Sequence, residues 1–150
     1  MGQFDSGRYR FSTGIGSVGS YQVSGVPWIT GSGADGIAAS TEDKITFPTV
    51  AKSVMVMLHD INSDNLHVHF NSSGSNGNVY DGNHYFILKD NRDSITFNVK
   101  CKEIYISNPP TSNGGSGNAS GYIVVAELTG INTLEMFNLT GSGLTTIDGT

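Results

Sequence analysis

The sequence has little charge, no long apolar run and almost no cysteine. Charged residues make up 14% of the 150 residues, with 8 basic and 13 acidic side chains. The resulting net charge of −5 argues against a nucleic-acid partner, because such proteins cluster lysine and arginine. The low content of Glu, Lys and Arg excludes a coiled coil. No apolar run approaches the roughly 18 residues of a membrane span, so no membrane partner is expected.

The single cysteine, Cys101, excludes an intrachain disulfide framework. It continues an apolar alternation that includes Ile95, Phe97 and Val99. This period of two predicts that Phe97, Val99 and Cys101 all face the core of a half-buried strand. No neighbouring motif supplies a base that would activate the thiol, so a small core residue is predicted rather than a reactive one.

What the sequence has in abundance is glycine and small polar residues. Gly, Ser, Thr and Asn together supply 64 of the 150 residues. Residues 1–42 contain nine of the 20 glycines, yet they also hold several aromatic and aliphatic side chains. One interpretation is an extended N-terminal arm that becomes ordered against neighbouring subunits, since glycine weakens regular structure. The alternative is an irregular N-terminus with one or two edge strands. Residues 129–150 are predicted to be a similar C-terminal arm.

The middle of the chain, residues 43–128, predicts a β-domain. Short apolar or alternating segments are separated by Gly, Pro, Asn and Asp. They comprise residues 44–47, 53–58, 65–70, 84–88, 94–101, 103–107 and 122–128. The first should end at Pro48, and Asp90–Asp93 should be a turn between two hairpin partners. This spacing predicts an all-β fold, an antiparallel β-sandwich of jelly-roll-like topology with about seven or eight strands.

Two of these segments, residues 53–58 and 122–128, are apolar at successive positions rather than at alternate ones. A strand that is wet on one face alternates between apolar and polar side chains, whereas a strand covered on both faces does not need to. Both segments are therefore predicted to be covered on both faces.

The strongest candidate for chemistry is His67-Val68-His69. On a strand, both imidazoles point to the same face, about 7 Å apart, an arrangement that suits a metal pair. His59 and His84 lie at the ends of other predicted strands and are the candidates for a third ligand. The alternative is a pair of exposed or interfacial histidines opposite an apolar face of Leu66, Val68 and Phe70. With no Cys ligand or second metal motif, the sequence favours that alternative and predicts no cofactor and no enzyme.

Exposed aromatic residues suggest a second kind of site. Such side chains stack on sugars in carbohydrate-binding modules, and they also cover cores or contact neighbouring subunits. The candidates are Trp28, Tyr80, Tyr85, Tyr105 and Tyr122. A sugar platform is expected on one sheet face or on the loops of residues 71–83 and 108–121.

Three segments carry a resemblance to a known class of proteins. They are Ser17-Val18-Gly19-Ser20-Tyr21-Gln22-Val23-Ser24-Gly25-Val26-Pro27-Trp28, the run from Ile45-Thr46-Phe47-Pro48-Thr49-Val50 to Leu66-His67-Val68-His69-Phe70-Asn71, and Ala126-Glu127-Leu128-Thr129-Gly130-Ile131. Together they resemble small structural proteins of tailed bacteriophages. The resemblance implies a non-enzymatic β-sandwich protein of the virion, repeated on the capsid surface rather than on the tail.

The expected function is that of a capsid decoration or cement protein. It would be a homo-oligomer, with a trimer as the expected form, and would contact the major capsid protein or other virion subunits. The arms would bury apolar side chains against these neighbours, and the candidate interface residues are Phe4, Phe11, Tyr21, Val23, Trp28, Leu134, Met136 and Phe137. The alternative function is a carbohydrate- or receptor-binding module of a phage tail or fibre.

Overall fold

A computed structural model describes residues 14–22, 25–59, 65–73, 78–81, 83–115, 117–140 and 146–147. Its strands are β1 (Val26–Gly31), β2 (Thr41–Leu58), β3 (Leu66–His69), β4 (Phe86–Leu88), β5 (Ser94–Phe97), β6 (Cys101–Asn108), β7 (Tyr122–Leu128), β8 (Leu139–Thr140) and β9 (Thr146–Ile147). The single-turn helix α1 (Gly19–Gln22) precedes β1. A second single-turn helix, α2 (Asn78–Asp81), and two 3₁₀ turns, Thr111–Asn113 and Thr133–Glu135, lie between later strands.

Within the described residues, seven strands form one antiparallel sheet. The strand order is β1-β7-β2-β6-β3-β4, and β5 pairs with β2 beside this path. Strands β8 and β9 form a separate two-stranded sheet. The predicted all-β antiparallel fold is confirmed, while its closure as a sandwich or jelly roll stays a prediction.

The 18-residue strand β2 connects the two halves of the sheet. Residues 41–46 pair with β6, whereas residues 54–57 pair with both β5 and β7. The register shifts between Thr46 and Ala51, and Pro48 lies inside that shift. Proline cannot donate a ladder hydrogen bond, so a bulge is where a strand tolerates it. The predicted strand end at Pro48 is therefore wrong, because Pro48 marks an irregularity within one long strand.

Both halves of the sheet contribute to one apolar core. The largest cluster of buried side chains draws on every strand from β2 to β7. Its fully buried members include Val54 and Val56 of β2, Val68 of β3, Ile104 of β6 and Val124 of β7. Each such side chain contributes roughly 1.5–3 kcal/mol through removal from water.

The sheet extends beyond the predicted 43–128 domain. Strand β1 pairs with β7 at six positions, from Val26–Leu128 to Gly31–Ile123. Residues 26–31 of the predicted arm are thus an edge strand, as in the second interpretation of the N-terminus. On the C-terminal side, Ile131 and Met136 are buried against Val50 in a second small cluster. Residues on both sides of the predicted 43–128 domain thus pair or pack with it, and the domain boundaries stay a prediction.

The predicted hairpin around Asp90–Asp93 is a turn between strands that do not pair with each other. Strand β4 pairs with β3, whereas β5 pairs with β2. The Asp93 carboxylate accepts hydrogen bonds from the backbone N–H of Lys89 at 3.1 Å and of Asp90 at 3.0 Å. These bonds close the turn locally and leave the flanking strands free to separate.

The predicted core alternation is wrong at Val99, because a bulge interrupts it. Phe97 and Cys101 are buried, but Val99 is 40% exposed. Between the pairs Val54–Phe97 and Ala51–Cys101, residues 98–100 lie opposite residues 52 and 53. One extra residue interrupts the alternation, so Val99 does not share the core face of its neighbours.

This difference predicts very different losses of stability for truncations at Phe97 and at Val99. Phe97→Ala should lower the free energy of unfolding by about 3–5 kcal/mol, because the ring packs edge-on against Phe70 and Phe86 and its loss leaves a cavity. Val99→Ala should change it by less than about 0.5 kcal/mol, as expected for an exposed position. Urea unfolding followed by circular dichroism measures both. Equal losses for the two variants would contradict the bulged register.

Candidate functional site

The best candidate site is the outward side of strands β1, β7 and the second half of β2. Residues facing the core in these strands, such as Val54, Val56 and Val124, are fully buried. The alternate positions point away from the core. Glu127 and Ser53 lie at one end of this side of the sheet, next to five apolar side chains. We call these the outer face, which consists of Ile29, Met55, Met57, Ile123 and Val125.

Strand register places the outer face in two adjoining rows. Ile29 lies opposite Val125, and Val125 lies opposite Met55 on its other side. In the next row, Ile123 lies opposite Met57. Directly opposite side chains on one sheet face are about 4.5–5.5 Å apart at Cβ, so the rows form one continuous apolar surface.

The outer face is accessible to solvent. Ile29 is 69% exposed, and the other four side chains are partly exposed. None of the five carries charge. An antiparallel sheet that meets water on one side usually presents polar side chains there. A continuous apolar face instead marks a surface that contacts another molecule.

Contact through the face is favoured over contact through the open edge of β1. The Ser32 N–H donates to the Tyr122 carbonyl oxygen at 3.1 Å, which sets the alternation of the β1–β7 ladder. Because successive residues of a strand direct their backbone groups to opposite sides, Thr30 and Trp28 face β7 like Ser32. The backbone groups of Pro27, Ile29 and Gly31 therefore point to the open edge. Pro27 has no N–H, so an added strand could not form a complete ladder.

The structure divides the predicted interface residues into three groups. Phe4, Phe11 and Val23 lie outside the described residues. Leu134 is 90% exposed and Phe137 is 39% exposed, so both are available for contacts. The remaining three pack within their own chain.

These three residues have intramolecular partners. Trp28 contacts Phe47 edge-on, with ring centroids 5.3 Å apart. Tyr21 packs on the small cluster that contains Met136 and Val50. For Trp28, Tyr21 and Met136, burial inside the subunit is thus an alternative to the predicted burial against neighbours.

Two lysines hold the segment around α1 on the sheet. Lys100 Nζ donates to the Ile15 carbonyl oxygen at 2.9 Å and lies 4.7 Å from the centre of the Tyr21 ring. Lys52 Nζ donates to the Tyr21 carbonyl oxygen at 3.4 Å. Cation–π and charge-assisted contacts of this kind fix the segment in spite of its glycines.

The two histidines of β3 are buried, contrary to the prediction of an exposed polar face. His69 Nδ1 lies 2.6 Å from the Asn71 carbonyl oxygen, and its Nε2 lies 2.7 Å from Ser107 Oγ. The carbonyl can only accept, so Nδ1 carries the proton and Nε2 accepts from the serine hydroxyl. Burial lowers the pKa of His69, although Glu42, 3.6 Å from Nε2, opposes that shift.

His67 lies under aromatic side chains. Its ring stacks on Tyr85, with centroids 4.1 Å apart, and Tyr80 of α2 packs against it at 5.6 Å. Its Nδ1 has no hydrogen-bond partner in the described structure. The alternation along β3 was predicted correctly, but the contacts that cover its second face come from distant residues.

The described residues do not assemble a metal centre or a sugar platform. They contain no group of three or more His, Cys, Asp or Glu side chains that could hold a metal ion. Tyr105 and Tyr122 are buried, and Trp28, Tyr80 and Tyr85 are only partly exposed. The five predicted stacking residues therefore do not form one flat, exposed surface. Cys101 is buried as predicted, and burial raises the pKa of its thiol to about 12.

Comparison with known proteins finds no matching family model, no similar curated protein and no similar solved structure. Among the described residues, no helix has both the length and the apolar character needed to cross a membrane.

The buried His67 predicts a loss of stability in acid. Burial, and secondarily the nearby His69, lowers its pKa from 6.5 to about 4. Above pH 6.5 the ring is neutral in both the folded and the unfolded chain. Between pH 6.5 and 4 the unfolded chain gains the proton first, so stability falls as pH falls. The full difference of about 2.5 pKa units corresponds to about 3 kcal/mol.

This prediction is tested with His67→Phe, which keeps a ring to stack on Tyr85 but cannot be protonated. Urea unfolding at pH 7, 6, 5 and 4 should show a shallower decline for this variant than for the parent chain. His59→Gln, at an exposed position, serves as the control. Parallel declines for His67→Phe and the parent chain would contradict the assignment.

Proposed function

We propose that the chain is a non-enzymatic structural protein of a virion, a capsid decoration or cement protein. In this proposal it acts as a homo-oligomer on the capsid surface, in contact with the major capsid protein or other virion subunits. The observation that carries the proposal is the outer face, an apolar and uncharged sheet surface that meets solvent in the isolated chain. The resemblance to small structural proteins of tailed bacteriophages supports it.

The composition of the outer face suits a protein interface. The centres of such interfaces are depleted of charged residues and enriched in methionine and large apolar side chains. Met55 and Met57 are flexible enough to fit an irregular partner surface. Burying the face on assembly would contribute roughly 25 cal/mol for each Å² of apolar surface removed from water.

A second copy of the same chain is the partner we propose for this face. The chain has a net charge of −5, so two copies repel each other at most approaches. The five side chains of the outer face are uncharged, and the adjoining Glu127 carboxylate lies 3.7 Å from the Lys52 ammonium group, which offsets its charge. Leu134 and Phe137, which are also exposed, are further candidates for contact with the capsid.

The alternative, a carbohydrate- or receptor-binding module, has weaker support as a general function. The aromatic residues predicted to form its platform are buried or partly buried. An apolar face without hydrogen-bonding groups also does not suit a sugar, whose hydroxyl groups need polar partners.

The proposal predicts that charge on the outer face prevents assembly. Ile29→Lys places an ammonium group within the proposed contact, where burying it is costly. Since Ile29 is 69% exposed, the fold itself should tolerate the change. Sedimentation velocity should show an oligomer for the parent chain and a monomer for the variant, and co-sedimentation with capsid particles should fall with it.

Thr46→Lys is the matched control, because Thr46 is an exposed residue of β2 that lies outside the outer face. It should assemble like the parent chain, and circular dichroism should show equal β content in all three proteins. A monomeric parent chain, or an Ile29→Lys variant that assembles and co-sediments normally, would contradict the proposal.

A further inference from the structure

A polar cleft of about 230 Å³ lies on the other half of the sheet. The cleft lies at the start of β2, between the segment that follows β3 and the loop that follows β6. Ser73 follows β3, and Tyr80 belongs to helix α2. Asn108 ends β6, and Pro110 lies in the loop after it. Thr41, Glu42 and Ser107 lie among the residues between them. Except for Pro110, each of these side chains can form hydrogen bonds.

Glu42 organises one wall of the cleft. Its carboxylate accepts from Ser72 Oγ at 2.7 Å and from the Ser73 N–H at 2.9 Å, and also from the Ser73 hydroxyl. These bonds hold the loop after β3 in place. They also occupy much of the carboxylate's capacity to accept, which leaves it poorly suited to binding a metal ion.

A chain of hydrogen bonds fixes the aromatic wall. Tyr80 Oη lies 2.9 Å from Ser107 Oγ, and Ser107 Oγ lies 2.7 Å from His69 Nε2. Ser107 donates to the imidazole, so it accepts from the tyrosine hydroxyl. The Tyr80 ring is thereby held at the cleft, partly exposed, with Pro110 as a second apolar surface.

Asn108 provides an unused acceptor. Its Nδ2 donates to the carbonyl oxygens of Ile37 at 3.0 Å and of Asn118 at 2.7 Å, which fixes the orientation of the amide. The side chain is only 1% exposed, and its Oδ1 has no hydrogen-bond partner among the described residues. A buried acceptor without a partner is unfavourable, and a small local shift that opened this oxygen to the cleft would let a ligand hydroxyl satisfy it.

We propose that this cleft binds a single sugar ring of a neutral saccharide. The walls offer the hydroxyl groups of Thr41 and Ser73 and the remaining acceptor capacity of Glu42 to ligand hydroxyls, and they offer Tyr80 and Pro110 to the apolar C–H surface of the ring. An anion is disfavoured because Glu42 is present and the lining residues include no Lys or Arg. Pockets for drug-sized ligands measure roughly 300–1,000 Å³, so this smaller cleft suits one ring. The inference does not depend on assembly through the outer face.

The test is titration of the ¹⁵N-labelled chain with glucose, galactose, mannose and N-acetylglucosamine, each followed by NMR. At least one sugar should shift the amide signals of cleft residues with saturation in the millimolar range. Calcium chloride alone should not shift them. Failure of every sugar to shift cleft signals, or an equal response to calcium, would overturn the proposal.

Two variants locate the site. Thr41→Phe fills the cleft from an exposed position, and Tyr80→Ala removes the aromatic wall. Each should weaken binding at least about tenfold. Thr46→Phe, on the same strand and away from the cleft, should bind like the parent chain. Unchanged binding in a folded Thr41→Phe or Tyr80→Ala variant would place the ligand elsewhere and overturn the proposal.

Discussion

The irregular middle of β2 is the constraint on which the rest of the structure depends. Its first part pairs with β6 and its second part with β7 and β5, so a single strand belongs to both halves of the sheet. Pro48 lies at the register shift between the two parts. Val50 leaves the β6 ladder there and instead exchanges backbone hydrogen bonds with residues after β7, through Thr129 at 2.9 Å and Ile131 at 3.0 Å. The irregularity therefore joins the segment after β7 to the middle of β2.

The outward side chains of β3, on one half of the sheet, are buried, whereas those of the outer face on the other half are at least partly exposed. On the β3–β6 half, the loop after β3 and helix α2 cover the outward side chains. The Asn71 carbonyl oxygen and the Ser107 hydroxyl satisfy the two ring nitrogens of His69, and the Tyr80 ring packs at a tilt against the imidazole. On the β1–β7 half, the outward side chains are apolar and partly exposed. A polar face can be satisfied within one chain by hydrogen bonds, whereas an apolar face is satisfied only by being covered.

Sequence reasoning recovered what depends on local pattern and missed what depends on distant contacts. The alternation around Val68 and the apolar runs at 53–58 and 122–128 predicted β-strands correctly. The runs also indicated strands covered on both faces, which is the one local signal for the outer face. Strand β1 was hidden among glycines, and only its register with β7 shows that Ile29 joins that face. Burial of His67 could not be predicted, because Tyr80 and Tyr85 reach it from a separate loop.

Pro27 lies on the edge strand β1 and has no backbone N–H, which bears on how copies of the chain could contact each other. An exposed strand edge without such a residue invites further strands, and strand addition continues without a natural end. By removing an N–H from the open edge of β1, Pro27 works against that route while leaving the adjacent face available. Contact through a face can satisfy closed point-group symmetry, in which every copy buries the same surface. If the proposed contact forms through Ile29, two residues from Pro27 on the same strand, it would give an oligomer of limited size and not a fibre.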